Sequence, residues 1–166
     1  MSFTRRTAQL LHEDHQATIQ VIEALDQMIA KARKSAPDTS DATVLRTLKT
    51  AATAIHEEVS THFAFEENEL FTRLEDMGDV GIAGHLREEH AAILPLGQEV
   101  ERRAALALEN GFDQTGWSEF RSIAGELIER MFAHIQKEEM ALLPMLDDLL
   151  DDEDDMELST SYAFNH

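Results

Sequence analysis

The chain has no cysteine, which excludes disulfides, thiolate zinc sites, iron–sulfur ligation and cysteine nucleophiles together. Any metal chemistry must use nitrogen and oxygen donors. Positive charge is scarce as well. The 14 Lys and Arg are scattered among 33 Asp and Glu, and the net charge of −19 argues against a phosphate-binding face, so no nucleic-acid partner is expected. Long apolar runs are also missing. No window reaches the length that spans a bilayer, and Met1-Ser-Phe-Thr-Arg-Arg-Thr7 leads into polar helical sequence without an apolar signal core. A soluble, cytoplasmic protein with no membrane partner is expected.

A length of 166 residues with 43% hydrophobic content suits one domain with a buried core. The acidic excess is partly local, because Asp147, Asp148, Asp151, Asp152, Glu153, Asp154, Asp155 and Glu157 crowd together. Such a run repels itself, which predicts a domain over 1–150 followed by an acidic, flexible tail over 151–166. No glycine stands where a calcium loop would turn, so the run is not an EF-hand.

Strand-like alternation and Asn-Gly hairpin signals are absent between apolar runs, whereas apolar residues recur at spacings of three and four. The fold class is all-α. Breaks near residues 35–40, 77–81 and 110–113 leave helices at roughly 5–34, 40–76, 80–108 and 114–149. Short connections between long helices predict an up-down-up-down four-helix bundle. The inward stripes read Leu11, His15, Thr18, Ile22, Leu25 and Ile29; then Leu48, Ala52, Ile55, Val59, His62, Glu66 and Leu70; then Leu86, His90, Ile93 and Val100; then Ala124, Leu127, Met131, His134, Glu138 and Met145. Pro95 and Pro144 fall within helical runs, where each removes a backbone donor and should kink or open the helix.

Six polar residues interrupt those stripes, and they belong to an internal repeat. Leu11-His-Glu-Asp-His15 and His62-Phe-Ala-Phe-Glu66-Glu67 return as Leu86-Arg-Glu-Glu-His90 and His134-Ile-Gln-Lys-Glu138-Glu139, displaced by 75 and 72 residues. Leu70 and Leu74 are answered by Leu142 and Leu146. Two copies of one helical hairpin would face each other across a pseudo-two-fold axis. Helix rise places His15 about 28 Å before the end of its helix and His62 about 33 Å past the start of the next, and the remaining four converge within roughly one turn of the same layer. Buried carboxylates need a cation or hydrogen bonds, so His15, His62, Glu66, His90, His134 and Glu138 are candidate metal ligands.

His and Glu at i and i+4 share a helix face, making each HxxxE segment a two-pronged arm. Symmetry assigns His15 and His62 to one metal and His90 and His134 to the other, with Glu66 and Glu138 bridging. Such an N/O shell suits iron, manganese or zinc and leaves coordination positions open. His12, His56 and His85 lie off the stripes and are expected at the surface. Glu67, Glu88, Glu89 and Glu139 are expected as exposed charges, some of them accepting from imidazole N–H groups. Phe63, Phe71, Met131 and Phe132 read as core.

Taken together, His15, His62 to Phe71, Glu89-His90 and His134 to Pro144 make the chain resemble the hemerythrin-like HHE cation-binding family over about residues 8–148. The resemblance implies a hemerythrin-like four-helix bundle holding two iron ions as an oxo- or hydroxo-bridged pair, with zinc or manganese as alternatives. Functions in the family include oxygen carriage, oxygen or iron sensing, and responses to nitric oxide. Four His and two Glu are more similar to the repair-of-iron-centres branch than to the oxygen carriers, which have a fifth His where this chain has Leu86. The leading expectation is a di-iron protein whose partner is a diatomic ligand, O2 or NO, or peroxide. The alternatives are an iron or zinc binding, storage or structural module without redox chemistry, and a peroxidase or NO-reductase type enzyme.

Overall fold

Four long helices make the frame, and each starts where a carboxylate takes up free backbone N–H groups, three of them from a residue just ahead of the helix. The computed structural model describes residues 2–79 and 81–165. Helix α1 spans Arg6–Ala32, α2 residues 42–76, α3 Ile82–Asn110 and α4 residues 114–149. Asp41 accepts from Thr43 N (2.9 Å), Asp79 from Ala83 N (3.0 Å) and Asp113 from Gly116 N (2.6 Å), at the heads of α2, α3 and α4. Gly111 ends α3 with φ of +74°, its N–H donating to the Ala107 carbonyl at 2.7 Å. Regular structure among the described residues is helical throughout, and the observed bounds lie within about two residues of those expected from periodicity. Val80, the expected start of the third helix, and Met1 and His166, the outer ends of the expected domain and tail, lie outside the described residues.

The helices close a ring, α1 against α2, α2 against α3, α3 against α4 and α4 against α1. Two apolar clusters fill it. One includes Ile22, Leu25, Ile55, Ile93, Trp117 and Met131; the other includes Leu11, Leu70, Phe71, Leu86, Leu142 and Leu146. Close approach of α2 to α3 depends on Gly97, where an added Cβ would lie 2.8 Å from Val59 Cγ1.

The long helices are not regular throughout. Wide π-helical turns occupy Glu57–His62 and Glu66–Leu70 in α2 and Glu138–Leu142 in α4, and each includes at least one of the six inward polar residues. Pro144 stands just beyond the turn in α4, where its ring and missing N–H oppose regular helix, as expected; α3 continues through Pro95. The extra residue in each turn rotates the remainder of its helix about the axis. Met145 is consequently only half-buried while Leu142, Leu143 and Leu146 are buried; Thr18, in the regular α1, and Ala52, ahead of the first wide turn in α2, are also half-buried, independently of these turns.

The acidic segment is a correction to the sequence reading. Where a frayed tail is expected, Asp152–Asn165 forms a fifth helix, α5, packed on α1 with Leu158 and Tyr162 buried. Its charges have partners at the other end of the chain. Asp155 accepts from Arg6 N at 2.9 Å and from Thr7 N at 2.8 Å, capping α1, whose own Arg5 offers no side-chain cap. Asp147 accepts from Thr4 N and Arg5 N, both at 2.9 Å, and Arg73 pairs with Asp154 and Glu157. Carboxylates at a helix N-terminus also meet the positive end of its dipole. Asp155→Ala should therefore cost about 1–2 kcal/mol of stability, read as a lower urea midpoint; an unchanged midpoint would mean the cap contributes nothing.

Candidate metal centre

Between the two apolar clusters lie His15, His62, Glu66, His90, His134 and Glu138, each no more than 2% exposed. Desolvating two carboxylates this completely costs several kcal/mol per charge unless something positive faces them. The imidazoles come from one helix each, the carboxylates from α2 and α4, four residues after His62 and His134.

Every imidazole is held the same way. Its Nδ1 faces a carboxylate on the neighbouring helix: His15 with Glu139 at 2.8 Å, His62 with Asp14 at 3.1 Å, His90 with Glu67 at 3.3 Å and His134 with Glu89 at 2.8 Å. A carboxylate accepts the Nδ1 proton and so favours the tautomer whose Nε2 carries a free lone pair. The four Nε2 atoms point inward. His15 Nε2 lies 2.9 Å and His134 Nε2 3.6 Å from Glu138 Oε1, while His62 Nε2 lies 3.4 Å and His90 Nε2 3.2 Å from Glu66 Oε1. Each carboxylate thus reaches an imidazole from both halves of the repeat.

The inner atoms are mostly acceptors facing acceptors. Glu66 Oε1 and Oε2, Glu138 Oε2 and His62 Nε2 are buried without a hydrogen-bond partner, and His90 Nε2 faces His134 Nε2 at 3.1 Å. Donor atoms sharing a cation at about 2.1 Å stand roughly 3–4 Å apart, which is the spacing seen here. Glu66, His90, His134 and Glu138 make one group able to hold a metal ion, with donor atoms within 4.8 Å of one another, and His15, His62 and Glu138 make a second.

In the field of the protein groups alone, protons would have to supply the missing charge. Burial opposes a charged His15, but hydrogen bonds to Glu138 and Glu139 outweigh it and push the imidazole up to about 10. His62 is raised against burial by the charges of Glu58 and Glu66. Burial, then the charge of His134, pushes His90 down to about 3. Burial and the Glu138 charge raise Glu66, while Glu138 is held down, against burial, by its interaction with the Glu66 carboxyl and by the nearby imidazoles. Such splitting of two neighbouring carboxyls is what one shared proton between them produces.

Those six residues converge with the family whose description fits them. The family model of the hemerythrin HHE cation-binding domain matches residues 6–146. The chain belongs to that family. No curated protein matches it.

Within this hemerythrin HHE domain, the surrounding residues divide as their environments dictate. Phe63 stacks on His90 with centroids 3.7 Å apart, and Phe71 lies 5.5 Å from the same ring, so this half has an aromatic wall. Leu86 is fully buried among the apolar residues beyond it. His56 and His85 are exposed, while His12 is half-buried and pairs with Glu139. Glu88 is exposed; Glu67, Glu89 and Glu139 are the imidazole acceptors described above. Two site residues were missed by sequence reasoning. Asp14 precedes His15 as Glu89 precedes His90, so the repeat itself carried that signal. Glu58 stands one turn before His62 but has Arg130 as its repeat counterpart, and symmetry therefore hides it.

Proposed function

We propose that this hemerythrin HHE domain is a non-haem di-iron protein that binds or responds to a small ligand such as O2, NO or peroxide. The observation that supports it is the inward convergence of four Nε2 atoms on Glu66 and Glu138, three of whose four carboxylate oxygens are buried without a hydrogen-bond partner. The donor set fits a pair of cations. In this reading His15 and His62 hold one ion, His90 and His134 the other, and Glu66 and Glu138 belong to both. Nitrogen and carboxylate donors without thiolate suit iron over softer metals, with zinc and manganese less demanding alternatives. Bound there, iron would supply redox chemistry and coordination positions for a small ligand.

The chain's own groups define the rest. Asp14, Glu67, Glu89 and Glu139 fix ring orientation and tautomer. Exposure of 2% or less at all six donors restricts access to molecules of a few atoms, and Phe63 and Phe71 keep the His90 side dry. Leu86, in place of a further imidazole, favours ligand response or redox switching over reversible oxygen carriage. Among the described residues no helix is long and apolar enough to cross a membrane.

Protein produced with ample iron should contain two iron ions per chain and absorb in the near-ultraviolet after aerobic purification, as ferric pairs do and zinc does not. Exposure of the reduced protein to O2 or NO should change its optical and paramagnetic resonance spectra. A stoichiometry of one would defeat the paired-ion reading. Two ions with no spectral response to either gas would favour a metal module without redox chemistry.

A further inference from the structure

We infer that Glu58 is a seventh metal-binding side chain, serving only the His15–His62 half of the centre and making its two ions chemically unequal. The inference rests on the paired-metal reading above and goes beyond it. Glu58 is 3% exposed, as deeply placed as the six. Its Oε2 accepts from the Thr18 hydroxyl at 3.3 Å, and its Oε1 is buried without any hydrogen-bond partner. That oxygen lies 3.8 Å from His62 Nε2, which also lacks a hydrogen-bond partner.

The distance separates two roles. A carboxylate placed to neutralise a charged imidazole would close to about 2.7–2.9 Å. At 3.8 Å the two atoms stand too far apart to bond each other but at the span of two donors on one cation, roughly 3–4 Å. The π-helical turn Glu57–His62 holds both side chains on the same face of α2.

Need and asymmetry point the same way. The His90–His134 group has four converging donors, whereas His15, His62 and Glu138 form a group of three. Glu58, whose Oε1 stands 3.8 Å from His62 Nε2, lies beside the poorer one and is the carboxylate placed to add a fourth donor to it. The repeat counterpart, Arg130, is half exposed and pairs with Glu126 at 3.2 Å, so the second half has no equivalent carboxylate. The surroundings differ in sign as well. A cleft of about 220 Å³ beside Glu58 is lined by Asp14, Glu57 and His62, while one of about 230 Å³ on the other side is lined by Glu89, Arg130 and Lys137. A third carboxylate around one ion favours a harder, more highly charged cation at that position.

Glu58→Gln keeps volume and the Thr18 contact but removes the charged donor. Metal titration of stripped full-length protein with ferrous ion, with 57Fe Mössbauer spectra of the loaded forms, should show wild type taking two ions in two unequal environments. In Glu58→Gln one dissociation constant should rise at least about tenfold and one spectral component shift, while the other constant and component stay as in wild type. Glu58→Asp retracts the same charge by one methylene and should produce the same one-sided loss, with helicity by circular dichroism confirming folding. Equal constants and spectra in wild type and variants, or equal weakening of both ions, would overturn the role of Glu58 alone. A wild type that takes up no iron would overturn the paired-metal reading, and this inference with it.

Discussion

Glu138→Ala is expected to abolish retention of both metal ions, not one. Glu138 Oε1 lies 2.9 Å from His15 Nε2 and 3.6 Å from His134 Nε2, so the single side chain faces both halves of the repeat. Loss of a group that merely orients a ligand costs about 10–100-fold in metal affinity, and removing a shared donor should cost at least about 100-fold at each ion. His15→Ala, by contrast, should weaken mainly the ion shared with His62. Metal analysis after gel filtration, with Glu138→Gln as a variant of matched volume, checks both. Retention of one ion at wild-type affinity by Glu138→Ala would show that the carboxylate belongs to one half only.

The second large effect is an opposite pH dependence with and without metal. In protein stripped of metal, the His15 imidazole, pushed up to about 10 by Glu138 and Glu139 against burial, keeps a proton that the unfolded chain releases near 6.5. Its contribution is complete below 6.5 and is lost as pH rises towards about 10, with a slope of about 1.4 kcal/mol per pH unit per proton. His62 and Glu66, both raised, act in the same direction. His90, pushed down to about 3, acts the other way on the acid side, because stability is lost as pH falls from 6.5 through that value. Stripped protein should thus be most stable near neutral or mildly acidic pH and weaken towards pH 9. Metal needs neutral imidazoles, so the loaded protein should instead gain stability as pH rises from 5 and lose it as acid displaces the ions. At free metal 1,000 times the dissociation constant the gain is about 4 kcal/mol. Urea midpoints from pH 5 to 9 on both forms test this; parallel curves would sever metal binding from stability.

Much of this was legible in the sequence because it depends on period and repetition. Four helix positions follow from apolar spacing, and the convergence of the six buried polar residues follows from a repeat offset by 75 and 72 residues. The features that escaped depend on distant partners. The charge run at 147–157 looks self-repelling when counted locally, yet Asp155 bonds to Thr7 across 148 positions and Arg73 meets Asp154 across 81. The π-helical turns escaped because a 3.6-residue period assumes regular helix, which is why Met145 was misplaced and Leu143 overlooked. Glu58 escaped because it departs from the very symmetry that revealed its neighbours.

The outer carboxylates have a direction of travel around the bundle. Asp14 of α1 serves the imidazole on α2, Glu67 of α2 that on α3, Glu89 of α3 that on α4, and Glu139 of α4 that on α1. The circuit closes with no helix both giving to and receiving from the same neighbour. Pulling any one helix outward therefore withdraws its own imidazole and unseats the next one, so at this level the bundle opens as a single cooperative unit, and backbone amides of all four helices there should exchange with solvent together.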